Sequence, residues 1–132
     1  MKNDFIQELY NLYSSKKMKN FFEFAQGEKR ALLELAKGDI SPSDLCQKLS
    51  VSKQRITSIL NSLYEKKYIT INIDENDRRK TNIKLTPNGK KYIDKLIAYV
   101  LTDLNKIINK ISSKDIDKLT EIMANINKIL NE

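Results

Sequence analysis

The 132-residue sequence predicts a mainly α fold with a small β-hairpin wing. Three observations carry that prediction. Apolar residues recur at three- and four-residue spacing along most of the chain, the signature of amphipathic helices. Between residues 69 and 85 the pattern changes to strict alternation, the signature of strands with one buried face. Glycine (3) and proline (2) are scarce, which argues against long disordered or low-complexity segments. The length fits one domain, residues 1–132, with a modest core.

The first helix is expected over Asp4–Tyr13, where Phe5, Ile6, Leu9, Leu12 and Tyr13 share a face. The polar stretch SSKKMKN then breaks the pattern, and an aromatic cluster follows at Phe21, Phe22 and Phe24. A second helix is expected over Gly27–Ala36, with Leu32, Leu33 and Leu35 inward and Gly38 ending it. Ser41, Pro42 and Asp44 form an N-cap, a first-turn proline and a dipole-matched acid. They open a short helix whose inner face is Leu45, Cys46 and Leu49. After a brief turn at Ser50 and Val51, Ser52 caps a longer helix to about Lys66, with Ile56, Ile59, Leu60 and Leu63 inward. This pair reads as a helix-turn-helix. Ile69, Ile71 and Ile73 on one strand and Thr81, Ile83 and Leu85 on the other predict a hairpin anchored by its isoleucines and leucine. Thr86 and Pro87 launch a long helix carrying Ile93 through Ile111, and Ser113 caps a last one carrying Ile116 through Leu130. Both show the spacing of a helical bundle seam.

The net charge of +7 points to an acidic partner, nucleic acid first. Its distribution matters more than its size. Residues 38–92 hold 11 basic and 6 acidic side chains, whereas residues 93–132 hold 6 of each. A uniform compositional bias would not place the excess in the middle. The absence of histidine removes His-based acid–base chemistry, Ser-His and Cys-His nucleophiles, and histidine metal sites. There is no phosphate loop and no CxxC motif. The chain is therefore expected to be no enzyme, with no cofactor and no metal. No apolar run approaches the ~20 residues of a membrane span, and no targeting segment is evident, so a cytoplasmic protein without membrane contact is expected.

Helical geometry then selects the polar face of the second helix of the helix-turn-helix. With its four aliphatic residues inward, Gln54, Ser58, Asn61 and Glu65 point outward, flanked by Lys53, Arg55, Thr57 and Ser62. Apart from Glu65, these side chains are suited to base edges or phosphates in a major groove. The candidate DNA-contacting set on this helix is Ser52, Lys53, Gln54, Arg55, Thr57, Ser58 and Asn61. In the hairpin tip, Arg78, Lys80 and Lys84 suit phosphate contact. Asp77 would be repelled by phosphate, so an internal role is expected.

A helix-turn-helix followed directly by a hairpin is a winged helix. The sequence resembles the MarR (multiple antibiotic resistance regulator) family along nearly its whole length. The sharpest match is Asp77, Arg79 and Leu85-Thr86 at the D-x-R-x5-L-T spacing, supported by VSKQRITSILNSLYEKKYI. The resemblance implies a winged helix-turn-helix at about 27–92 and a helical dimerisation region from 1–24 and 87–132. It implies that Asp77 orients an arginine and that Arg79 enters the minor groove. A homodimeric repressor on a pseudo-palindromic operator in double-stranded DNA follows. So does a small-molecule effector crevice, for which Tyr10, Tyr13, Phe21 and Phe24 are candidates, although such aromatics more often form core. Cys46 is expected as a small buried core residue rather than an oxidant sensor. Ser50 and Lys67 stand where the family commonly has glycine, so each is a candidate left-handed residue. The competing reading is a winged-helix interaction module whose basic middle binds an acidic protein.

Overall fold

The computed structural model describes residues 2–132. Its elements, in chain order, are α1 (Lys2–Ser14), α2 (Lys16–Phe24), α3 (Gly27–Ala36), α4 (Pro42–Leu49), α5 (Lys53–Glu65), β1 (Ile69–Ile73), β2 (Thr81–Leu85), α6 (Pro87–Ile108) and α7 (Ser113–Leu130). By packing, one compact unit runs to Ile97 and a second spans Ala98–Glu132, the division falling within α6.

The first unit holds the core. Leu32 and Leu35 of α3, Leu45 and Leu49 of α4, and Ile56, Ile59, Leu60 and Leu63 of α5 are buried together with Ile69, Ile83 and Ile93. Each such side chain contributes about 1.5–3 kcal/mol relative to exposure. Polar contacts add to the helix packing. Arg30 of α3 donates from Nη2 to the carbonyl of Lys48 at 2.8 Å, placing a cation at the C-terminal end of α4. Glu34 of α3 pairs with Lys48 at 3.7 Å.

Several expectations are corrected. The polar SSKKMKN stretch is not a broken segment: Ser15 alone separates α1 from α2, and the lysines continue as helix. Lysine is a good helix former, and the following Phe22 and Phe24 supply an apolar face. Leu33 is half-buried rather than inward. Cys46 is half-buried too, with its Sγ donating to the carbonyl of Val51 at 3.0 Å. The cap of α7 is Ser112, whose Oγ accepts from Asp115 N at 3.2 Å; Ser113 is the first helical residue. A capping hydroxyl meets the amide two or three positions on, and Asp115 lies three beyond Ser112.

The hairpin pairs antiparallel in the register Ile69↔Leu85, Ile71↔Ile83 and Ile73↔Thr81. Ile40, in the link between α3 and α4, forms a further bridge to Ile83, with N–H to O distances of 2.8 and 3.3 Å. The hairpin is thus anchored on both sides of Ile83. Its isoleucines are not equivalent, however. Ile69 and Ile83 are buried, while Ile71 is 42% and Ile73 63% exposed. Alternation sets which face a side chain takes, but cover differs between the strands: Ile83 is flanked by Ile71 and Ile40, whereas Ile71, directly opposite it, lies on the open edge strand.

The hairpin is joined tightly to α6. Thr86 Oγ1 donates to the carbonyl of Lys67 at 2.6 Å and accepts from Gly89 N at 3.0 Å. A Cβ on Gly89 would overlap the carbonyl of Tyr68, so glycine is required by the close approach of backbone. Tyr68 and Tyr92 stack beside this joint with centroids 4.5 Å apart.

Candidate nucleic-acid interface

The turn before α5 sets its orientation. Ser50 is left-handed at φ 53°, with its N–H on the carbonyl of Gln47 and Val51 N–H on that of Cys46. This pairing is a Schellman close of α4. Ser52 then caps α5, its Oγ accepting from Arg55 N at 3.1 Å. The exit repeats the device. Lys67 is left-handed at φ 64°, Lys67 N–H reaches the carbonyl of Tyr64, and Tyr68 N–H reaches that of Leu63 at 3.0 Å. Both left-handed positions therefore hold a residue with a Cβ, at about 1–2 kcal/mol each.

Between these two turns α5 buries its aliphatic face and exposes Lys53, Gln54, Arg55, Thr57, Ser58, Asn61 and Glu65. Ser52 is exposed as well. Thr57 spends its hydroxyl proton on the carbonyl of Lys53 at 2.8 Å, which leaves its oxygen as an acceptor only.

Arg55 behaves differently from its neighbours. It leans back to α3, where its Nη2 comes 3.6 Å from the place a Cβ would take on Gly27. The α3 carboxylate nearby is Glu28, which Lys66 Nζ holds from the far end of α5 at 3.0 and 3.4 Å. Burial raises the Glu28 carboxyl. The Ser62 and Lys66 hydrogen bonds and the charges of Lys66 and Arg55 outweigh that and hold it below its ordinary 4.5.

In the wing tip two aspartates build Asx turns. Asp74 Oδ1 accepts from Asn76 N at 2.9 Å, and Asp77 Oδ1 accepts from Arg79 N at 3.0 Å. The same Asp77 oxygen lies 3.6 Å from Arg79 Nε. An ion pair this exposed adds about 0–1 kcal/mol to stability. Its effect is local direction: the contact uses Nε, and the Arg79 side chain is 95% exposed. Arg78, Lys80 and Lys84 are exposed. Between the wing and the start of α4 lies a cleft of about 590 Å³ lined by Ser41, Ser43, Arg79, Lys80 and Thr81 among others.

The aromatic candidates are divided. Tyr10 and Tyr13 of α1 line a cleft of about 450 Å³ together with Lys19 and Phe22 of α2. Phe24 is buried in the core, and Phe21 packs edge-on against Phe22 with centroids 5.9 Å apart. Phe22 is the residue that sequence reasoning missed there, as it missed Ile40 and Glu28. The two-apart aromatics gave no phase to choose among them, and a single bridging residue has no periodicity.

The elements define a winged helix-turn-helix, a fold class that presents one helix and one hairpin to a nucleic acid duplex. Residues 25–80 match the model of the MarR family. The HTH-type transcriptional repressor YetL of Bacillus subtilis is 24% identical over 66% of this chain, which spans about half of YetL, 52%. The HTH-type transcriptional regulator YdgG of the same organism is 27% identical over 78% of this chain and 70% of its own length. Both are named as regulators, not as enzymes. In fold, the chain is similar to a MepR variant of S. aureus, with TM-score 0.74, 19% identity and coverage of 99% and 97% of the two chains. It is likewise similar to wild-type MarR of E. coli, with TM-score 0.72, 20% identity and coverage of 91% and 95%. No helix among the described residues is long and apolar enough to cross a membrane.

Proposed function

We propose that this chain is a sequence-specific double-stranded DNA-binding transcriptional regulator, a repressor that acts in the cytoplasm as a homodimer on a pseudo-palindromic operator. The observation that carries the reading is the pairing of two surfaces. α5, capped at Ser52, exposes a polar face of Lys53, Gln54, Thr57, Ser58 and Asn61. The adjoining wing presents Arg79 in a turn organised by Asp77. Gln54 and Asn61 suit adenine edges, and Ser52, Thr57 and Ser58 suit base or phosphate. Arg79 suits a narrow minor groove, whose negative potential attracts a guanidinium. Arg78, Lys80 and Lys84 suit phosphates, which position the protein without specifying sequence.

The homodimer is supported by apolar faces that the chain itself leaves uncovered. α1 and α7 contain no buried residue, and Leu9, Leu12, Leu119, Ile122, Met123 and Ile126 are exposed. A two-fold dimer of helix-turn-helix proteins sets its two recognition helices about one DNA turn apart, which is the basis for expecting a pseudo-palindromic operator. The cleft at Tyr10, Tyr13 and Phe22 is the place we assign to a small aromatic effector. The reading needs no cofactor.

Selection from a random duplex pool tests the reading. A pseudo-palindrome of half-sites is the expected outcome. No enrichment, with binding to an acidic protein instead, would favour an interaction module.

A further inference from the structure

A cleft of about 280 Å³ opens where the start of α3 meets the turn between α4 and α5. Ala25, Gly27, Arg30, Leu49, Val51 and Arg55 line it, and among the described residues no carboxylate does. Two guanidiniums from different helices thus share one small space. Arg30 is fixed there, its Nη2 donating to the carbonyl of Lys48 at 2.8 Å. That contact takes a single donor of the guanidinium fork. Arg55 reaches in from the first turn of α5, with Nη2 3.6 Å from the place a Cβ would take on Gly27. Glu28, the acid next along α3, is not part of the lining; its carboxylate meets Lys66 Nζ at 3.0 and 3.4 Å. Like charges brought together without a counter-charge repel, and an anion between them relieves that cost.

We infer that Arg30 and Arg55 together hold one backbone phosphate of the duplex, which extends the DNA interface from α5 and the wing onto α3. The inference rests on the reading of α5 as the DNA-facing helix. A helix in the major groove has a sugar–phosphate strand along each flank. Arg55 stands on the flank of α5 toward α3, and Arg30 lines the same cleft from α3 itself. Guanidinium forks match the oxygens of a phosphate. Such a contact fixes the register of α5 on the duplex and carries no sequence information. It therefore raises affinity for every duplex alike and leaves the ratio of selected-site to random binding to the base contacts.

The test titrates wild type, Arg30→Gln, Arg55→Gln and the double variant with selected-site and random duplex over a range of salt. Lys128→Gln, an exposed position on α7, is the control for loss of one positive charge elsewhere. Each arginine variant is expected to lower affinity for both duplexes by the same factor, up to about eightfold near 0.1 M salt, and to flatten the slope of log K against log salt by up to about 0.9, one phosphate released. The double variant should flatten it no further than that, since both forks serve one phosphate. Lys128→Gln should leave the slope in place. If the double variant loses twice the full amount, the arginines meet separate phosphates and the inference is overturned. A control that matches the arginine variants overturns it too, because net charge alone then explains the effect. So does a loss of affinity at unchanged slope, which would mean that Arg30 acts only on the fold through the Lys48 carbonyl. Should Arg30→Gln fail to fold, Arg30→Lys carries the test. It keeps the charge and loses the planar fork, so an equal drop for both duplexes with unfolding unchanged supports the inference, and wild-type affinity overturns it. A wild type without salt-dependent duplex binding would instead sink the DNA reading itself.

Discussion

Helices α5 and α7 are written in the same pattern and meet opposite fates. Each is amphipathic and each begins with a serine cap. α5 buries Ile56, Ile59, Leu60 and Leu63, while α7 buries nothing and exposes Leu119, Ile122, Met123 and Ile126. An apolar stripe states that a face must leave water; it does not state whether the cover comes from the same chain. In α5 the cover is α3, α4 and the wing base. In α7 the stripe stays exposed, and we propose that a second copy covers it.

Substitution at equivalent stripe positions is the sharpest way to break the comparison. Leu63→Ala is expected to cost about 2–5 kcal/mol of unfolding free energy, read by denaturant titration, because it opens a cavity in a closed core. Ile126→Asp should leave the fold of the first unit in place and convert a dimer to a monomer by sedimentation at micromolar concentration. An unchanged mass would end the dimer proposal.

A smaller effect concerns the exposed face. Arg79→Ala should lower duplex affinity about tenfold through loss of one minor-groove cation, with unfolding unchanged. Equal affinity and site preference in the variant would remove the wing from the interface.

Next come the two left-handed residues. Ser50→Gly and Lys67→Gly should each stabilise the first unit by up to about 1 kcal/mol, since glycine relieves the Cβ clash at some cost in unfolded-chain entropy. A loss of stability would mean that the serine or lysine side chain contributes more than its backbone strain.

The smallest expected effect is pH-dependent. The Glu28 carboxyl is held below its ordinary 4.5 despite its burial, by Ser62, Lys66 and Arg55. A depressed carboxylate contributes stability above its unfolded pKa and loses it as pH falls through the folded one. Wild type should exceed Glu28→Gln by less than about 1 kcal/mol at pH 7. The gap should close as pH falls below 4.5. A gap that persists at low pH would indicate packing rather than charge.

Much of this architecture is legible in local signals. Ser41, Ser52 and Thr86 act as the helix starts that their positions predict. Ser50 and Lys67 take the left-handed geometry that marked them as departures. These are short-range events, decided within three or four residues by capping and by backbone sterics, so the sequence by itself determines them. It also determines the element order and the concentration of positive charge in residues 38–92.

Tertiary structure alone decided the rest. It placed Ile40 beside Ile83, Glu28 beside Lys66 and Phe22 beside Tyr13, and it left Ile71 and Ile73 in water. Pairs such as Glu28 and Lys66 lie 38 residues apart, and no periodicity along the chain encodes which distant group completes a site. Periodicity assigns a side chain to a face. Only the packed neighbours decide whether that face is a core, a cleft or an open surface, because burial is a property of what arrives from elsewhere.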